Sequence, residues 1–272
     1  MITPKKSLGQ NFLRDDNVAR KIVQHLHLNP ADIVLEIGPG SGMLTKYLVG
    51  KCRRLIGVEI DQRAVDLLRE TVGEDMEILA QDIRTVNLRE VGRESATPLR
   101  VVGNIPYYIT SEILFWLFEH REVVQDATLM MQIEVARRLN AKPRTKEYGI
   151  LSVASQFYAE PRLLFKVSPN SFFPPPEVES AVVNLVFKKT VPDCDRELFH
   201  IVVRSTFGKR RKTLRNGLKY LGIEEAKLDK LHFDLSRRPE ELSVQDFVTL
   251  TQELSSWRIA VEDDRSLESK RD

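Results

Sequence analysis

The sequence predicts an α/β fold, a doubly wound and mostly parallel sheet followed by a small C-terminal helical domain. Three observations predict it. From residue 33 to about residue 189, short β-rich runs alternate with helical patterns, the order that places parallel strands side by side with helices on both faces. The first run leads directly into the glycine-rich "GPGSG", at the strand end where open α/β sheets bind ligands. From about residue 191 the β-rich runs stop and the pattern turns helical.

Each element follows from its residues. "IVLEIG" (33–38) and "LRVVGN" (99–104) are short apolar runs of the kind that strands buried on both faces show. "RLIGVEI" (54–60), "MEILAQD" (76–82) and "ATLMMQ" (127–132) complete the parallel set. The last two runs, "RLLFKV" (162–167) and "SAVVNLVF" (180–187), are separated only by the proline-rich "SPNSFFPPPEVE". That connection predicts an antiparallel, hairpin-like addition at one edge of the sheet. Ser243, ahead of "VQDFVTLTQEL" with Asp246 three residues on, predicts a capping box. The end of the chain is charged and aperiodic. The predicted organisation is a domain over 1–190, a helical domain over 191–256 and a tail over 257–272.

Composition narrows the function classes. A chain of 272 residues with 42% apolar composition can bury a full core. The net charge is only +2, yet residues 204–219 carry seven basic side chains and no acidic one. Two cysteines make no disulfide framework. The sequence contains no membrane-length apolar run and no recognisable secretory leader, so a cytoplasmic protein without a membrane partner is expected.

Gly38, Gly40 and Gly42 fall at every second position, whereas a dinucleotide fingerprint wants its third glycine where this chain has Met43. That spacing speaks against NAD. The glycines alone leave open a ligand-binding turn or a plain tight turn. Glu59, at the end of the second strand, is placed to accept hydrogen bonds from two ribose hydroxyls. Asp82, at the end of the third, is either a further ligand contact or a cap. Together they line the carboxyl ends of neighbouring strands and describe a pocket for an adenosine-bearing molecule. The strand at 99–104 ends in Asn104, Ile105, Pro106 and Tyr107, more chemistry than a turn requires.

The spacing of "EIGPGSG", "GVEID", "QDI" and "NIPY" resembles the Rossmann-like class I methyltransferases that use S-adenosylmethionine. With "SLGQNFL", "EYGILSVASQFY", "FFPPPEVESAV", "FGKRRKTLRNGL" and "RPEELS", the chain resembles the bacterial small-subunit rRNA adenine dimethyltransferase family from Lys5 to about Leu254. The resemblance implies methyl transfer to the 6-amino groups of two adjacent adenosines, and a part in small-subunit biogenesis. It also implies S-adenosylhomocysteine as the product, no metal, the small ribosomal subunit as partner, and a monomer. The implied cofactor site is Asn11, Leu13, Gly38, Gly40, Glu59, Asp82 and Asn104. The residues themselves give Asn11 and Leu13 no role beyond an N-terminal arm that packs. Two rival readings are the large-subunit methyltransferases of macrolide resistance, which share "NIPY" and the proline-rich loop, and a non-catalytic nucleic-acid-binding relative. "EYGILSV" and "GKRRKTLRN" fit the small-subunit family better, and an intact Asn104, Pro106 and Tyr107 speaks for retained chemistry.

A base inside a duplex cannot present its amino group to a buried methyl donor, so it must be held out of its stack. Tyr107 and Phe172 are the expected surfaces for it, with Phe173 beside Phe172 as the alternative ring and core packing as the alternative role. Arg210, Arg211, Lys212 and Arg215 are the expected phosphate contacts. The quartet then has a reading of its own. Asn104 Oδ1 and the Ile105 carbonyl accept hydrogen bonds from the target amino group, Pro106 fixes the backbone, and Tyr107 stacks on the ring.

Overall fold

The computed structural model describes residues 2–5, 8–92 and 97–255. The predicted tail over 257–272, with residue 256, lies outside them. The chain forms two compact units, one of Met1–Asn140 with Tyr158–Lys189, the other of Ala141–Phe157 with the chain from Thr190 onward.

The strands, in chain order, are β1 (Phe12–Leu13), β2 (Ile33–Ile37), β3 (Arg54–Val58), β4 (Glu77–Leu79), β5 (Leu99–Asn104), β6 (Val124–Gln132), β7 (Ala159–Val167), β8 (Phe172–Phe173) and β9 (Ser180–Phe187). The helices are α1 (Asp16–Leu26), α2 (Thr45–Leu48), α3 (Gln62–Val72), α4 (Leu88–Val91), α5 (Thr110–Glu119), α6 (Ile133–Leu139), α7 (Ile150–Tyr158), α8 (Arg196–Gly208), α9 (Leu214–Lys219), α10 (Glu225–Leu228) and α11 (Val244–Ser255).

The first unit holds a seven-stranded sheet in the order β4-β3-β2-β5-β6-β9-β7. The strands from β4 to β6 run parallel, and β9 and β7 add antiparallel at the β6 side. The edge addition is thus the predicted one, with β9 inside and β7 outermost. Val34, Val102, Met130 and Val182 pack with Ile22, Val23 and Leu26 of α1 and Leu48 of α2. Leu35 and Val101 point to the opposite face and are equally buried. Both faces are therefore covered, which is why these strands read as apolar runs. The order places the ends of β3, β2 and β5 side by side, and there the site is built.

Two features go beyond the sequence pattern. After the glycine turn α2 begins only at Thr45 and spans four residues. A second, two-stranded sheet joins β1 to β8, with Phe12 opposite Phe173 and Leu13 opposite Phe172.

In the second unit, Tyr148 is fully buried and donates to the Leu242 carbonyl at 2.7 Å, and the Phe157 ring stacks on Phe199 at 4.3 Å. These contacts explain why residues 141–157, which the sequence reading left inside a 1–190 domain, group with the C-terminal helices instead. The start of α11 is the expected capping box. The Ser243 N–H donates to Asp246 Oδ2 at 2.8 Å, and the Asp246 N–H donates to Ser243 Oγ at 3.1 Å.

Candidate active site

The turn after β2 uses its glycines for their backbone. Gly38, Gly40 and Gly42 all have positive φ, at 62°, 55° and 80°, a region costly for residues with a Cβ. A Cβ on Gly40 would also meet the Phe12 ring at 2.9 Å. At Gly38 it would stand 4.0 Å from its nearest neighbour, the Asn104 carbonyl oxygen, so that glycine leaves open space in the cleft. Glu59, buried just past β3, braces the turn. Its Oε2 accepts from the Gly40 N–H at 3.0 Å and its Oε1 from the Asp61 N–H at 2.8 Å, while burial pushes its carboxyl above the usual range. Glu36 lies on β2 beneath the turn, fully buried, accepting from the Thr45 hydroxyl at 2.8 Å, and burial pushes its carboxyl up to about 8.

The cleft is lined by Gly9, Gln10, Asn11 and Phe12 of the arm, by Gly38, Gly40, Glu59 and Asp82, and by Asn104 to Ile109. Asp82 is a cap that also lines the cleft. Its carboxylate caps the short turn after it through the Arg84 N–H at 2.9 Å. The Arg84 guanidinium beside it holds that carboxyl below its usual value.

The amide of Asn104 is fixed by the arm. Its Nδ2 donates to the Asn11 carbonyl at 2.9 Å. A carbonyl can only accept, so the nitrogen must face Asn11 and Oδ1 must face the other way. Among the described residues Oδ1 has no partner. The Ile105 N–H donates to the Met130 carbonyl at 3.2 Å, which holds the quartet to β6. Pro106, at φ −60° and ψ 135°, starts a short 3₁₀ turn over Tyr107–Ile109. Tyr107 is half-buried and its hydroxyl lies 2.6 Å from Ser180 Oγ.

Two predicted site residues lie elsewhere. Phe172 is fully buried in the cluster that also holds Leu13, and neither side chain lines the cleft. The reason is the two-residue ladder. Residues directly opposite share a face, so Leu13 and Phe172 point into the core while Phe12 and Phe173 point the other way. Phe173 is 49% exposed, and its partner Phe12 lines the cleft, so of the two adjacent rings Phe173 is the one open to solvent.

Other site residues went unnoticed in the sequence. Tyr108 lines the cleft and is 61% exposed, with Gly9 packed on its ring. Asp61 is a buried anchor for the arm, accepting from Gln10 Nε2 at 3.0 Å and pairing with Arg63 at 2.6 Å and Lys5 at 3.5 Å. The Arg63 guanidinium, helped by Gln10, holds the Asp61 carboxyl well below the usual range. The one available signal was the Asp61 position, two residues after Glu59.

The basic run is also divided by the structure. Arg210 pairs with Glu240 at 2.8 Å and donates to the Thr145 and Lys146 carbonyls, and Arg215 pairs with Glu225 and Asp229, each at 2.7 Å. Acids from outside the run neutralise these two, both of them among the phosphate contacts expected from the sequence. Arg211 and Lys212 are exposed and, among the described residues, have no ion pair.

The model of the ribosomal RNA adenine dimethylase family matches residues 1–256. The chain belongs to this family. A small-subunit rRNA methyltransferase A of Chlorobium phaeobacteroides is 44% identical over 266 residues, covering 97% of this chain and 96% of that protein. The protein of the same name from Prosthecochloris aestuarii is 46% identical over 251 residues, covering 92% and 93%. Among solved structures, a dimethyladenosine transferase from Plasmodium falciparum superposes with a TM-score of 0.77 at 25% identity, covering 92% of this chain and 98% of that one. The 23S rRNA methyltransferase ErmE gives 0.66 at 29%, covering 90% and 100%. The α/β class and the mostly parallel sheet are those of class I methyltransferases.

Against this family the cleft makes chemical sense. Glu59 and Asp82 supply carboxylate acceptors, Gly38 leaves room for close approach, and Asn104 keeps an acceptor free, a set that fits an adenosyl cofactor. No group of three or more side chains suited to a metal occurs among the described residues. No described helix is long and apolar enough to cross a membrane.

Proposed function

We propose that this protein binds S-adenosylmethionine in the cleft and methylates the 6-amino groups of two adjacent adenosines in small-subunit rRNA, as a monomer acting in the cytoplasm during subunit biogenesis. The observation that carries the mechanism is the Oδ1 of Asn104, without a partner among the described residues, in the same cleft as Glu59 and Asp82. The cofactor, when bound, supplies an electrophilic methyl group on a sulfonium. Glu59 would hold its ribose, Asp82 would lie beside its adenine, and the arm around Asn11 would cover it.

The chain's own residues deal with the nucleophile. An adenine amino group is weak because its lone pair is delocalised into the ring, and among the described residues the cleft is lined by no histidine or lysine that would serve as a general base. Asn104 Oδ1 and the Ile105 carbonyl accept the two amino hydrogens, drawing the nitrogen toward tetrahedral geometry and aiming its lone pair. The proton is needed by no protein group, since it leaves to water once the nitrogen is cationic. Tyr107 supplies a face for the extruded base, and Phe173 is the second ring in place of Phe172. Stacking of this kind is worth about 1–3 kcal/mol per base. Arg211 and Lys212 supply phosphate contacts.

The identities of 44–46% to proteins named for the small subunit, against 29% to ErmE, favour small-subunit rRNA as the substrate. The test is incubation of unmethylated small and large subunits with labelled S-adenosylmethionine, followed by digestion to nucleosides. Label recovered as dimethyladenosine from the small subunit supports the reading. Label from the large subunit alone, or none, refutes it.

A further inference from the structure

Ser180 is the first residue of β9, fully buried, paired in register with Gln132 of β6 on one side and Val167 of β7 on the other. Two neighbouring strands fix its backbone, and a single torsion separates that backbone from its oxygen. Its Oγ is therefore a nearly rigid point. The Tyr107 hydroxyl lies 2.6 Å from it, while the backbone of Tyr107 is set from the other end by Pro106 and the 3₁₀ turn. The ring is held at both ends across the wall of the cleft.

Stacking on a base uses the face of an aromatic ring and needs no hydroxyl. The Tyr107 hydroxyl must then serve something else, and its one partner among the described residues is Ser180. We propose that Ser180 is a positioning residue for methyl transfer, acting through Tyr107 by holding that ring in the plane the target adenosine stacks on. A ring free about its two side-chain torsions would have to be immobilised each time a base arrived, and the tie removes that cost beforehand. The inference rests on the reading that Tyr107 faces the target base. The competing account is purely structural, with Tyr107 present only to satisfy a buried serine hydroxyl.

A double-variant cycle separates the two. Wild type, Ser180→Ala, Tyr107→Phe and the double variant are compared for single-turnover methylation, cofactor Kd and melting temperature, counting methylated adenosine from both ribosomal subunits. Each single variant should lower the methylation rate about 3- to 10-fold, the range of one neutral hydrogen bond, with cofactor Kd unchanged. The double variant should be no slower than the slower single one. Tyr107→Phe strands the buried Ser180 hydroxyl and should lower the melting temperature, and adding Ser180→Ala should restore that temperature without restoring the rate. Rate losses that multiply in the double variant, a rate that recovers together with stability, or an unchanged rate in Ser180→Ala would overturn the proposal. Which subunit carries the label tests the functional reading separately and leaves the cycle intact.

Discussion

Glu36→Gln is the most quantitative perturbation this site offers. The carboxyl is fully buried under the glycine turn, and among the described residues its one hydrogen-bond donor is the Thr45 hydroxyl. Burial chiefly, and the nearby Glu59 charge in addition, raise it from an ordinary 4.5 to about 8. In the native state at neutral pH it is therefore protonated, whereas in the unfolded chain it is ionised. Between those two values the native state binds the extra proton, so stability falls as pH rises. The full effect is absent below about pH 4.5 and complete above about pH 8. At about 1.4 kcal/mol per pH unit across that window, the wild type should lose up to about 5 kcal/mol relative to a variant that cannot ionise. Glutamine keeps an acceptor for Thr45, so the comparison isolates the charge. Urea unfolding of both proteins from pH 5 to pH 8 measures it. Glu36→Gln should gain stability over wild type steadily across the range. Parallel pH profiles would refute the reasoning and show that Glu36 is ionised and solvated in the native protein.

Three further outcomes follow from particular contacts. Gly40→Ala forces a Cβ into a left-handed position against the Phe12 ring, at a strain of about 1–2 kcal/mol, and calorimetry should find cofactor binding at least tenfold weaker. Phe172→Ala should cost about 3–5 kcal/mol of stability as a core truncation, while Phe173→Ala should melt near wild type yet methylate more slowly. Removing Arg211 and Lys212 together should weaken binding to the small subunit and lower the slope of log affinity against log salt by about 2, with cofactor binding unchanged. Arg210→Ala should instead lower the melting temperature, because its guanidinium holds Glu240 and two carbonyls.

What the sequence made legible were the features set by local pattern. Apolar runs marked the buried strands, and strand ends marked Glu59, Asp82 and Asn104, because a parallel sheet brings those ends to one edge whatever the loops do. The features it hid depend on partners far along the chain. The choice between Phe172 and Phe173 is decided by a two-residue ladder to the arm, too short to leave a periodic signal. Arg210 and Arg215 look free in a run without acids, yet Glu240, Glu225 and Asp229 reach them from later segments. Asp61 shows only its place two residues after Glu59 until the arm folds back on it. Residues 141–157 look like one more βα connection, and only the Phe199 ring on Phe157 and the Leu242 carbonyl on Tyr148 reveal which core they complete.

The central claim is that Asn104 presents its amide oxygen to the target amino group, and Asn104→Ala tests it most directly. The variant is assayed for cofactor binding at equilibrium and for single-turnover methylation of unmethylated small subunits. Loss of one preorganised polar contact to a reacting group typically costs about 100- to 1000-fold in rate. The account predicts a loss of that size, with cofactor Kd and subunit binding within a few-fold of wild type. Near-normal formation of dimethyladenosine by Asn104→Ala would contradict it and reduce the amide to a turn residue held by Asn11.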